Sequence, residues 1–279
     1  MDKLLELARS KDPKDRATGV ELLLSLLQSS TGPLSSSDVE SLVSTCLDLL
    51  NDPSNLNASL GAFQCLASAA VLSPDHLKLH FDGVLPAIVE CLGDDKQPLR
   101  DAARGLLLTF MEVSSPTIIV DKVWPITRVH NSSRVHEEFM RIVTSAITAF
   151  TSTEFMKAIL PPILQMLKDS TQSIREGAIQ CIEEMYMQFG SEFLAELQQN
   201  DLPSSVLGDI NIRLQQIEPK VFSFNGLVSS SSDQVDCSKV NQAESNPKKK
   251  DSFKEISVSG GQHAYSTIHM QCQNMMHCL

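Results

Sequence analysis

One motif is written twice in this chain, and it limits most of what the chain can fold into. Residues 92–103 read LGDDKQPLRDAA and residues 167–178 read LKDSTQSIREGA. Each is Leu, one residue, Asp, five residues, Arg, two residues, Ala, and the copies stand 75 residues apart. An apolar segment with proline near its front precedes each copy, VLPAIVECL from Val84 and ILPPILQML from Ile159, and a second amphipathic segment follows. That pattern is a helix, a short turn and a second helix. The spacing fits two steps of a repeat of about 40 residues. It predicts an all-α solenoid of stacked helix pairs, a fold that works through the loops along one edge and has no need of a buried catalytic pocket.

The rest of the chain can be divided the same way. Apolar faces at helical spacing, such as Leu4, Leu5, Leu7 and Ala8 followed by Val20, Leu23, Leu24 and Leu27, mark a first pair over residues 1–30 that turns at Ser10 to Arg16. Further pairs run from Val39 to Leu72, turning at Asn51 to Asn57, and from His76 to Val113, turning at Gly93 to Arg100. The next two run from Pro116 to Phe150, turning at Arg128 to Arg134, and from Glu154 to Phe189, turning at Lys168 to Arg175. A sixth, degenerate pair extends from Ser191 to about Glu218, as terminal repeats often do because one face meets water. Residues 219–279, with SSSSD at 229–233 and NPKKKDS at 246–252, have low apolar content and no period, and are read as a disordered tail.

Composition narrows the function classes. Apolar residues make up 42% and aromatics 5%, so the core rests on Leu, Ile, Val and Ala. Residues 1–218 carry 17 Lys+Arg and 29 Asp+Glu, a balance that argues against binding nucleic acid through net charge. The longest apolar runs are about six residues, as at Leu106 to Phe110, so no membrane insertion is expected. Seven dispersed cysteines without a signal peptide point to a reduced, cytoplasmic compartment. Phosphate loops, nucleophile elbows and metal-ligand sets are absent; His76 and His80 stand at i, i+4 but lack a third ligand and are read as packed or surface histidines. No enzyme and no cofactor is expected.

In a helix-pair repeat every turn projects along one edge, so the turns carry the candidate site. Lys11, Lys14 and Arg16 mark the first loop, Asn57 the second, Lys96 and Arg100 the third, Arg134 the fourth, and Lys168 and Arg175 the fifth. Basic loops on an acidic body suit an acidic protein surface recognised at short range. A structural reading competes for the arginines: Asp94 with Arg100 and Asp169 with Arg175 fit a ladder between adjacent repeats, and the same Asp can cap the second helix. The lysines do not fit that ladder.

The segments LVSTCLDLL, LASAAVLSPDHLKLH, LGDDKQPLRDAARGLL, MEVSSPTIIV, ILPPILQMLKDSTQSIREGAIQCIEEMYMQFGS and INIRLQQIEP, in this order, closely resemble the N-terminal TOG domain of the CLASP (CLIP-associated) proteins in their plant form. The resemblance covers roughly residues 1–218. It implies a TOG-like paddle of about six HEAT-type pairs, without nucleotide hydrolysis, that binds tubulin or microtubules through its edge loops and regulates microtubule dynamics. It also implies a cytoplasmic, cytoskeletal location, a monomer, and other cytoskeletal proteins as further partners. In the fourth turn the family pattern is more basic and carries an aromatic; Asn131, Ser133 and His136 stand where Lys, Trp and Arg are expected. Doing without one charge-assisted hydrogen bond there costs roughly 1–3 kcal/mol where the site is desolvated. Family members continue through a Ser-rich basic region and further TOG-like domains, so the resemblance implies a short form without the avidity of a linked array. The alternative function is a HEAT-type scaffold for another protein, with no tubulin binding.

Overall fold

The computed structural model describes residues 1–52, 55–200 and 202–217. Among them are thirteen α-helices and no strand: α1 (Asp2–Ala8), α2 (Pro13–Ser29), α3 (Ser36–Leu50), α4 (Leu56–Leu72), α5 (Pro74–Lys78), α6 (Phe81–Leu92), α7 (Gln97–Val113), α8 (Pro116–Thr127), α9 (Ser133–Ala149), α10 (Thr153–Met166), α11 (Gln172–Phe189), α12 (Ser191–Gln198) and α13 (Ser204–Leu214). They form the six expected pairs, the third having its first limb broken into α5 and α6. The expected disordered tail from residue 219 lies outside the described residues.

The helices stack in two layers. First limbs follow one another as α1, α3, α6, α8, α10 and α12, and second limbs as α2, α4, α7, α9, α11 and α13, each touching the next. Apolar stripes explain the stacking. On α9, Val135, Phe139, Ile142, Val143 and Ala146 recur at helical spacing and are all buried. The large buried side chains are mainly Leu, Ile and Phe, with Phe81 stacked on Phe110 at 5.0 Å between α6 and α7. Trp124 is half-buried and stacks on Phe139 at 5.5 Å, a packing role consistent with its place beside Pro125.

Two details depart from the sequence pattern. The prolines expected near helix fronts lie inside α6 (Pro86) and α10 (Pro161, Pro162). Each removes one backbone donor, yet the helices extend past them because Phe81, Val84 and Leu85, and Phe155, Met156 and Ile159, are buried on the same faces. At the α11–α12 turn, Gly190 adopts φ 55°, a conformation that side chains with a Cβ rarely take.

One side chain on α7 works against the fold. Glu112 is half-buried, its Oε1 has no hydrogen-bond partner, and burial raises its carboxyl above the ordinary range. A carboxyl raised in the folded state favours folding only as pH falls, because its ionised form is the poorly solvated one. Glu112→Gln is therefore expected to raise the melting temperature by about one to two degrees at neutral pH, half exposure keeping the gain small. The gain should vanish at pH values where Glu112 is already protonated. A thermal melt of both proteins at neutral and acidic pH checks it, and a lower melting temperature for the glutamine variant at pH 7 would contradict the burial argument.

Candidate functional site

The turns within pairs lie between α1 and α2, α3 and α4, α6 and α7, α8 and α9, α10 and α11, and α12 and α13, here loops 1 to 6. Because first limbs stack on first limbs and second limbs on second limbs, the turns follow one edge, and contacts tie several neighbours there. Arg16 Nη2 lies 2.9 Å from Asp52 Oδ2, and Asn55 Nδ2 donates to the carbonyl of Pro13, joining loops 1 and 2. Arg134 Nη1 donates to Asp95 Oδ1 at 2.6 Å and approaches the carbonyls of Gly93 and Asp94, joining loop 3 to the start of α9. His136 Nδ1 lies 3.4 Å from Asp169 Oδ2, joining α9 to loop 5.

The loops repeat a local design. In four of them the N–H of the helix N-cap residue donates to the side chain two positions earlier: Asp12 to Ser10, Lys96 to Asp94, Ser132 to His130 and Thr171 to Asp169. The fourth residue after the N-cap then turns back and donates to a backbone carbonyl. Arg16 reaches Ser10, Arg100 reaches Asp94 and Asp95 at 2.8 and 2.9 Å, and Arg175 reaches Asp169 and Ser170, both at 2.8 Å. In the second pair Ser59 does this to Leu49, and in the fourth pair His136 Nε2 lies 2.9 Å from the carbonyl of Thr127. These groups donate to carbonyls in the last turn of the first limb or in the loop just beyond it, where intrahelical donors run out.

The ladder expected from Asp94, Arg100, Asp169 and Arg175 is thus built differently. Arg100 and Arg175 hold the carbonyls of their own loops, while the Asp94 and Asp169 carboxylates accept backbone N–H groups. Links between the loops of successive repeats come instead from other pairs, among them Arg16 with Asp52, Arg134 with Asp95, and His136 with Asp169. The Arg134 hydrogen bond holds the exposed Asp95 carboxyl below its ordinary range, so this tie is intact at neutral pH and weakens only in acid.

The candidate residues therefore fall into two groups. Arg16, Arg100, Arg134 and Arg175 are engaged inside the protein, although Arg134 remains 42% exposed. Lys11, Lys14, Lys96, Lys168 and Asn57 are exposed. The side chains of Lys11, Lys14 and Lys168 have no partner among the described residues. The sequence pattern did not single out Arg128, which caps the C-terminus of α8 in loop 4; it too is exposed without a partner and stands beside the exposed Val129. Its signal was its place in a turn whose basic role went to Arg134 alone.

No group of His, Cys, Asp and Glu suited to a metal ion occurs among the described residues, and His76 Nδ1 lies 3.1 Å from the Leu34 carbonyl in a packing role. Burial pushes the Cys91 and Cys181 thiols up to about 11, and contact with Cys65 followed by burial raises Cys46, so none is a thiolate at neutral pH. No helix among the described residues is long and apolar enough to cross a membrane.

Six stacked helix pairs with their turns aligned along one edge define a HEAT-type paddle of the TOG class. The family described as XMAP215/Dis1/CLASP, TOG domain, matches residues 3–212, and the chain belongs to that family. It is a family of non-enzymatic, microtubule-binding proteins. A CLIP-associated protein of Arabidopsis thaliana is 54% identical over 264 residues, covering 94% of this chain and 18% of that relative. A CLIP-associating protein of Drosophila melanogaster is 30% identical over 139 residues, covering 48% of this chain and 9% of that one. The chain thus spans less than a fifth of the length of these relatives. Among solved structures, the MAST/Orbit N-terminal domain superposes with a TM-score of 0.68 at 23% identity, covering 77% of this chain and 96% of that one. Drosophila melanogaster Mini spindles TOG3 does so with a TM-score of 0.65 at 19% identity, covering 78% and 97%.

Proposed function

We propose that residues 1–218 form a tubulin-binding module that engages tubulin or microtubules through the loop edge and regulates microtubule dynamics in the cytoplasm. The observation that carries this is the division of labour along the edge. Arg16, Arg100, Arg134 and Arg175 are engaged with loop carbonyls and carboxylates, and Lys11, Lys14, Arg128 and Lys168 are left exposed and without partners on an otherwise acidic body. Exposed cations in or beside loops whose backbones are tied by side-chain hydrogen bonds suit an acidic surface, because less of the loop remains to be ordered on binding. Membership of the TOG family supports the same partner. Lys96 and Asn57 extend the edge toward loops 3 and 2, and the engaged arginines keep its shape. The module acts as a monomer, without a cofactor, alongside other cytoskeletal proteins.

A second reading, a HEAT-type scaffold for another protein, is favoured by loop 2, whose described residues carry no cation and include Asp52. Size exclusion of the full chain mixed with tubulin dimers, at low and moderate salt, separates the two. A tubulin module gives a complex that weakens as salt rises toward a Debye length of about 8 Å. Absence of a complex at tens of micromolar, or a complex indifferent to salt, would favour the scaffold.

A further inference from the structure

Glu138 is the one carboxylate buried among the described residues, at 1% exposure on α9. A buried charge is costly unless it is paired and hydrogen-bonded. Here three arginines surround it. Arg104 Nη1 donates to Oε2 at 2.6 Å, Arg141 Nη1 donates to Oε1 at 2.8 Å, and Arg100 Nε stands 3.4 Å from Oε1, an ionic contact without hydrogen-bond alignment. Arg104 also pairs with Asp101 on its own helix.

The far side of the Arg100 guanidinium faces the loop edge. Its Nη1 holds the carbonyls of Asp94 and Asp95, and its Nη2 donates to the Gln97 side chain. The carbonyl of Asp94 also accepts from Arg134, four residues before Glu138 on the same helix, with the Gly93 carbonyl beside it. A buried carboxylate on α9 therefore anchors the guanidinium that shapes loop 3, while a second guanidinium from α9 closes on the loop from outside. Nothing comparable backs the equivalent arginines. Arg16 pairs with the part-exposed Asp52, and Arg175 has no carboxylate partner among the described residues.

We infer that Glu138 is a positioning residue for the loop edge: through Arg100 it sets the presentation of loop 3 and ties it to the repeat that carries loop 4. This rests on the tubulin-edge reading for its functional consequence, but not for its structural one. A planar guanidinium with Nε 3.4 Å from an inner carboxylate and Nη1 bonded to loop carbonyls spans both groups at once, which a lysine in its place cannot reproduce.

The test uses the full chain and two readouts, amide exchange in residues 93–96 and affinity for tubulin dimers. Glu138→Gln, which keeps the shape and removes the charge, is expected to speed exchange in loop 3 by tenfold or more and to weaken tubulin binding about tenfold. Glu138→Asp should recover part of both. Arg100→Lys keeps a cation beside Glu138 and loses the fork, so it should loosen loop 3 even if Glu138→Gln folds poorly. Ile182→Ala, a core variant remote in sequence from the loop and buried in α11, serves as a control for lost stability and should leave loop 3 exchange unchanged. Unaltered exchange in both Glu138→Gln and Arg100→Lys, or equal loosening in Ile182→Ala, would overturn the inference. A wild-type chain that binds no tubulin would instead overturn the proposed function, with the exchange arm still deciding the role of Glu138.

Discussion

Changing Lys11, Lys14 and Lys168 together to glutamate is expected to weaken tubulin binding by about a hundredfold while leaving helix content and melting temperature within error. All three are exposed and have no internal partner, so no intramolecular contact is broken. An exposed ion pair contributes roughly 0.2–1 kcal/mol. Reversal removes that attraction and adds a repulsion of similar size, so three sites amount to about 3 kcal/mol, or two orders of magnitude in affinity. Adding Arg128→Glu should extend the loss, since it occupies loop 4 in the same exposed state. The contrast lies with Arg100 and Arg175. Glutamate at either position would leave loop carbonyls without their donor, and at position 100 it would face the buried Glu138. Those variants should lose stability first, and tubulin binding only as a result. Binding isotherms and thermal melts of the four proteins separate the two classes. Full affinity in the lysine variant would remove the loop edge from consideration.

The duplicated motif was readable because each of its letters has a physical task. Leu92 ends the first limb in the core, Asp94 and Asp169 cap the turn, Arg100 and Arg175 hold the loop carbonyls, and Ala103 and Ala178 are fully buried where limbs cross. In the other repeats the same tasks fall to different residues. Ser10 and His130 take the capping place of Asp, and Ser59 and His136 take the place of Arg. Chemistry was kept there while residue identity changed, so those repeats were found from helical periodicity instead. Direction was the harder part. A sequence shows an Asp and an Arg six residues apart, and it does not show that the arginine prefers the carbonyl of that Asp to its carboxylate. Glu138 passed unremarked for a related reason. It lies on the stripe of Val135, Phe139 and Ile142, and a carboxylate in an apolar stripe was the available signal. Arg141 stands one turn along the same helix, but Arg100 and Arg104 reach Glu138 only through the stacking of α7 on α9.

Gly19→Ala is expected to be the most damaging small substitution in the first repeat, and the repeats themselves show why. Gly19 is the seventh residue after its N-cap, the position held by Ala62, Ala103 and Ala178 in the second, third and fifth pairs. Alanine is accommodated there, fully or almost fully buried. In the first pair a Cβ at Gly19 would sit 2.4 Å from the backbone nitrogen of Ala8 and 2.7 Å from the carbonyl carbon of Leu7. Those are main-chain atoms of α1, which cannot swing aside as a side chain would. A glycine inside a helix costs about 1 kcal/mol relative to alanine, so the close crossing of α1 and α2 outweighs that cost. With alanine, α1 has to move away, and it is a seven-residue helix with only Leu5 and Ala8 fully buried. A loss of about 2–3 kcal/mol is expected, in the range of overpacked cores. It should be confined largely to α1 and loop 1, because helix-pair repeats depend mainly on their neighbours. Amide exchange should then show α1 open while α7 to α11 stay protected, and tubulin binding should fall because Lys11 and Lys14 lose their fixed placement. Alanine with wild-type protection in α1 would mean that the two helices can separate without cost, and that loop 1 is not held by their crossing.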